Sequence, residues 1–161
     1  MLITLLLFSS FYGGTGKLPI TGPFRPGQAT ACALVSKVDV EQAIGILINE
    51  AHGETEGRAS TCDYAGDGGL VSITVQRLAA KPNLPVEIVA LKKEIPEGVV
   101  RDASGFPEAF YFDLPDAGTQ LHIIHDNSTH LMISILGFGD ASRVSAAAAQ
   151  IARKAIAKLR P

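Results

Sequence analysis

The chain contains no tryptophan, and aromatic residues make up only 6% of its 161 positions. Single-stranded nucleic acid is held by bases stacking on aromatic side chains, so this chain has few platforms for it. Charge of one sign is also lacking: 14 basic residues stand against 16 acidic ones, with no long run of either. Duplex binding needs clustered Lys and Arg to release counterions, so no nucleic-acid partner is expected. With two cysteines, a structural zinc site of four Cys/His ligands at tight spacing is excluded. A disulfide or two unrelated thiols remain.

Long apolar runs are lacking too. Met1 to Phe8 (MLITLLLF) is strongly apolar and stops at Ser9-Ser10. It is far short of the ~20 residues a membrane-spanning helix needs. It reads as the apolar core of an export signal, the alternative being a buried strand of the domain. Tyr12 to Gln28 is rich in Gly and Pro without periodicity, which is linker composition. Residues 1–28 are therefore set apart as a signal-like segment plus linker, and 29–161 as one α+β domain. Any membrane association is expected through the N-terminus only. Gly16-Lys17 is no phosphate loop, because Phe11 and Leu18 stand where that motif needs Gly and Ser/Thr.

From Cys32 onward, local signals are dense. Ser36 is a helix cap with Asp39 three residues on, followed by Val40, Ala43 and Ile44 on one face and Gly45 as stop. Ala51 to Ala59 is polar with two glycines and reads as a loop. Ser60 to Tyr64 and Leu70 to Leu78 form a hairpin about Asp67-Gly68, with Val71, Ile73 and Val75 on its core face. Asn83 to Ile95 is a helix with Leu84, Ile88, Leu91 and Ile95 at helical spacing.

Three strands follow, Glu108 to Leu114, Gln120 to His125 and His130 to Leu136, separated by turn sequences. Asn127-Ser128-Thr129 fits a glycosylation acceptor, but the same residues are ordinary turn chemistry. A symmetric turn sets His125 opposite His130 and His122 opposite Ile133. It also leaves apolar residues on both faces: Leu121, Ile123 and Met132 on one, Ile124, Leu131 and Ile133 on the other. The last helix, Ala141 to Leu159, starts after Asp140 and buries Val144, Ala148, Ile151, Ala155 and Leu159. The order α-β-β-α-β-β-β-α predicts an α+β domain, a largely antiparallel sheet packed with helices.

Four stretches in this order are Cys32 to Gly45, Cys62 to Val75, Gly105 to Phe110 and Ala146 to Leu159. Over Ala31 to Leu159 the chain resembles a family of exported, often lipid-anchored bacterial proteins of unknown function. The resemblance implies a PsbP-like α/β sandwich, a disulfide between Cys32 and Cys62, and an extracytoplasmic location (periplasm, cell envelope or secreted). It implies no reaction. The wide cysteine spacing agrees with a structural bridge, since redox dithiols usually sit close in sequence.

Catalytic motifs are lacking: there is no G-x-S-x-G elbow, and nothing in the sequence orients Glu108, Asp113 or Asp116 as an acid/base pair. His125, His130 and Asp126 at one turn are candidate ligands for a metal-assisted hydrolase, weighed against solvated turn residues. Tyr111 and Asp113 share a strand face that forms a shallow ligand cleft if nothing covers it. The leading expectation is a non-enzymatic exported domain, without a cofactor, that binds a small ligand or protein partner at the cell envelope. The hydrolase and a purely structural accessory subunit are the alternatives.

Overall fold

The structure, a computed structural model, describes residues 29–159. The export-signal and linker readings of residues 1–28 lie outside the described residues. The described residues open with a single turn, α1 (Ala31–Leu34), and then α2 (Lys37–Ile44). Ser36 caps α2 as its sequence foretells. Its hydroxyl accepts from Asp39 N, and the Asp39 carboxylate accepts from Ser36 N in return. Gly45 ends the helix at φ 72°, a left-handed conformation that costs glycine little, and its N–H bonds Glu41 O at 2.8 Å.

Three strands then form a meander: β1 (Ile48–Glu56), β2 (Ala59–Gly66) and β3 (Gly69–Arg77). The β2–β3 turn is Asp67-Gly68, with Gly66 paired to Gly69. After α3 (Leu84–Glu94) a second meander follows: β4 (Val99–Asp102), β5 (Ala109–Leu114), β6 (Gly118–His125) and β7 (Thr129–Leu136). The chain closes with α4 (Ala141–Lys158), capped by Asp140, whose carboxylate accepts from Arg143 N at 2.9 Å. The two meanders join where β3 pairs with β7, giving one antiparallel sheet ordered β1-β2-β3-β7-β6-β5-β4. The expected α+β class is what the chain adopts.

One face of the sheet carries Cys62, Tyr64, Val71, Ile73, Val75, Leu121, Ile123, Leu131, Ile133 and Ile135. The helices α1, α2 and α4 pack there, α4 through Val144, Ala148, Ile151 and Ala155. Alanines at 147, 148, 149 and 152 let that helix approach the sheet closely, so the main core is thin and dense. On the opposite face α3 packs Leu84, Ile88, Leu91 and Ile95 against Phe110, Phe112, Val100 and Leu114, which belong to β4 and β5.

The disulfide is present: Cys32 on α1 is bonded to Cys62 on β2. It runs across β1, where a Cβ on Gly53 would lie 2.7 Å from Cys32 Sγ, so a side chain at 53 would collide with the bridge. Ser60 on the same strand accepts from Ala31 N at 3.0 Å, and Tyr64 OH donates to Val35 O at 2.5 Å. Burial pushes that phenol up to about 12.

Two local readings are corrected. Ala51–Ala59 is largely strand and not loop: β1 pairs with β2 from Ile48 to Glu56. It lies at the sheet edge and is exposed at every residue after Ile48, so it has no buried face to impose alternation on the sequence. The β6–β7 turn is also one residue shorter than a symmetric closure requires. Asp126 and Asn127 both take left-handed φ (52° and 56°), which short polar side chains tolerate, and His125 pairs with Thr129. Because side chains alternate with period two, that single step moves a whole strand to the other face. Leu121 therefore pairs with Ile133 and Ile123 with Leu131 on the core face, while Met132 and Ile124 share the opposite one.

Candidate functional site

The register places three parallel rows of side chains on the second face. One runs Glu54, Thr61, Thr74, Met132, His122, Phe110 from the β1 edge to β5. The next runs His52, Asp63, Ser72, Ser134, Gln120, Phe112, and a third Glu56, Ala59, Gln76, His130, Ile124. The apolar contacts of α3 lie at the Phe110–Phe112 end. Toward β1 the face is polar and increasingly open: Thr61, Asp63, Thr74 and Gln76 are partly exposed, and Glu50 to Glu56 wholly so.

At the centre of this face two imidazoles meet. His122 Nδ1 and His130 Nε2 are 3.1 Å apart, and His122 Nε2 lies 3.3 Å from Gln120 Oε1. The ring centres are 5.2 Å apart with planes inclined by 25°. The excess of that separation over the nitrogen distance is what two ring radii supply, so the rings meet edge to edge. Phe110 lies against the face of His122, 4.7 Å between centres and 3° from parallel. Gln120 Oε1 can only accept, so it assigns the proton of His122 to Nε2 and leaves Nδ1 as acceptor for His130 Nε2–H. Burial holds both imidazoles below the usual histidine range, His122 well below it and His130 at about 4. Both are neutral near pH 7.

The turn trio does not come together. His125 Nε2 is 2.8 Å from Asp126 Oδ2, but His130 belongs to the opposite face, beside His122. The cause is the register step described above, and it removes His125, His130 and Asp126 as one metal centre for hydrolysis. No group of three or more His, Cys, Asp or Glu placed to hold a metal ion occurs among the described residues. The partner that sequence reasoning missed for His130 is His122. Its signal was the length of the Asp126-Asn127-Ser128 turn.

Tyr111 and Asp113 do share a face, but it is the one α4 covers. Tyr111 is 8% exposed, and its hydroxyl donates to Ser145 O at 3.2 Å. Arg101 on β4 grips Asp113 through two nitrogens, donates to Ser145 Oγ and lies over the Tyr111 ring. Thr119 Oγ1 adds a bond to Asp113 at 2.7 Å. The Arg101 guanidinium holds the Asp113 carboxyl below its usual range. This cluster ties the β4 edge to α4, and the open cleft expected over Tyr111 and Asp113 is filled by the helix.

β1 itself presents an accessible polar surface. Glu50, Glu54 and Glu56 are exposed along its length, with His52 Nε2 3.4 Å from Glu54. On the neighbouring strand Asp63 Oδ1 is buried without a hydrogen-bond partner among the described residues. An edge strand also leaves a row of backbone N–H and C=O groups that the sheet does not use. Among the described residues no helix is long and apolar enough to cross a membrane. No protein-family model, curated protein or solved structure matches the chain, so its function is read from this geometry.

Proposed function

We propose that the protein is a non-enzymatic exported domain that binds a protein partner at the cell envelope, taking an extended, basic segment of that partner along β1. The observation that supports this is the edge strand. It spans nine residues, is exposed along its length after Ile48, and carries Glu50, Glu54 and Glu56 beside backbone groups that no further strand of the sheet pairs among the described residues. A segment added there as a further strand gains main-chain hydrogen bonds for affinity, and the glutamates select Lys or Arg for specificity. Export is supported by the disulfide and by the apolar Met1–Phe8 stretch.

A photo-crosslinking residue placed at Glu54, and in a second variant at Gln150 on the exposed side of α4, tests the reading in the native cell. We expect one discrete adduct from position 54, none from 150, and loss of the first when Glu50 and Glu56 are both changed to Lys. Equal adducts from the two positions, or an adduct indifferent to the charge reversal, would overturn the docking reading. Thiol labelling of protein taken from its native compartment tests export separately. Two free thiols would sink it.

A further inference from the structure

We propose that His122 Nδ1 and His130 Nε2, with Met132 as their neighbour on the same face of the sheet, form a binding site for a soft transition-metal ion of the copper(I) class. Two imidazole nitrogens each about 2.0 Å from one tetrahedral metal lie roughly 3.3 Å apart. The pair here is at 3.1 Å, already close to that separation.

The surroundings are those of a ligand set. Gln120 Oε1 accepts from the far nitrogen of His122, an outer hydrogen bond of the kind that fixes a ligating tautomer. Phe110 stacks on the same ring and restricts its rotation. Met132 is paired with His122 across the strands and follows His130 by two positions, so all three side chains share one face. It is 6% exposed, and thioether sulfur favours soft ions. The positions directly flanking these three on that face are Phe110, Gln120, Ile124, Gln76, Thr74 and Ser134, none of them a carboxylate, so hard cations such as magnesium or calcium find few ligands. His130 is partly exposed and provides the way in. Binding replaces the N–H···N hydrogen bond: His130 carries its proton on Nδ1 instead of Nε2, and no proton is released.

Silver(I), a redox-inert stand-in for copper(I), is titrated calorimetrically into the full chain with its disulfide intact, while histidine ring resonances are followed by NMR. The expected result is one equivalent bound, with shifts at His122 and His130 and not at His52 or His125. Met132→Leu keeps core volume and His130→Gln keeps a hydrogen-bonding group, so both variants preserve a route to a folded control. Each should weaken silver(I) binding at least about tenfold while its thermal melt remains cooperative. No uptake by the unaltered chain, uptake equally tight in both variants, or shifts confined to His52 and His125 would each overturn the site.

Discussion

The two faces of the sheet are built from the same strands and behave as different materials. On the α4 face, Ile73, Leu121, Leu131 and Ile133 are fully buried under alanine-rich helix, and the polar groups present are bonded in place. Arg101, Asp113 and Ser145 form one such closed set, and Lys154 Nζ reaching Asp39 Oδ1 at 2.5 Å forms another. On the other face, helix cover ends near β5, and the strands pass from aromatic to histidine, then to threonine and finally to glutamate. Apolar packing is concentrated on the first face, and exposed polar and titratable side chains on the second. An antiparallel sheet permits this because each strand alternates its side chains between the two.

The largest test of that contrast is Ile73→Ala. Removing a fully buried branched side chain from the α4 face should cost about 4 kcal/mol, read as a lower urea midpoint at unchanged slope. A loss below about 1 kcal/mol would mean this core is not what holds the sheet.

The disulfide ties that core, through the buried Cys62, to the exposed Cys32 on α1. It closes a separation of 30 residues, and replacing Cys32 and Cys62 together by Ala should lower unfolding free energy by about 3–4 kcal/mol. Equal denaturation curves for oxidised and reduced protein would show that packing alone fixes α1.

Acid should divide the faces by pH. His130 has its folded value at about 4 against 6.5 for the free group, and His122 is lowered too, so the unfolded chain binds more protons between those values. Stability therefore falls as pH drops from 6.5 towards 4, by on the order of 3 kcal/mol from His130. On the α4 face the carboxylates held low are Asp39 and Asp113. Lys154 and the Ser36 cap hold the first low, and Arg101 the second, so their contributions are present above the free carboxylate value and lost only below it. Melting temperatures of the unaltered chain and of His130→Gln between pH 7 and 4 check the upper window. The variant should lose distinctly less over it, and parallel curves would remove the histidine pair as the cause.

Thr74→Ala should have the smallest effect, about 0.5–1 kcal/mol. It lies next to Ile73 in the chain but on the open face, and gives up only the 3.1 Å hydroxyl contact with Thr61. A loss approaching that of Ile73→Ala would show the second face to be core as well.

Much of the fold was legible because its signals are local. The Ser36–Asp39 capping box, the Gly45 stop, the Asp67-Gly68 turn and the stripe on α4 each lie within a few residues of the structure they specify. The α+β class followed from their order. The candidate site was much less legible. His122 and His130 are eight positions apart, and whether they touch depends on one residue of turn length. That length is set by how Asp126 and Asn127 take left-handed conformations while β7 also pairs with β3.

Local sequence settles where α2, α3 and α4 start and stop, which strands carry apolar residues, and that only two cysteines were there to pair. Caps, turns and periodic burial act over one or two turns of chain. Tertiary structure alone decided that a polar, glycine-containing stretch becomes the edge strand β1, that α4 closes over Tyr111 and Asp113, and that His130 meets His122 instead of His125. Each of those outcomes rests on which strand or helix lies alongside. A neighbour brought in from a distant part of the chain leaves no periodic mark on the segment it pairs with or covers.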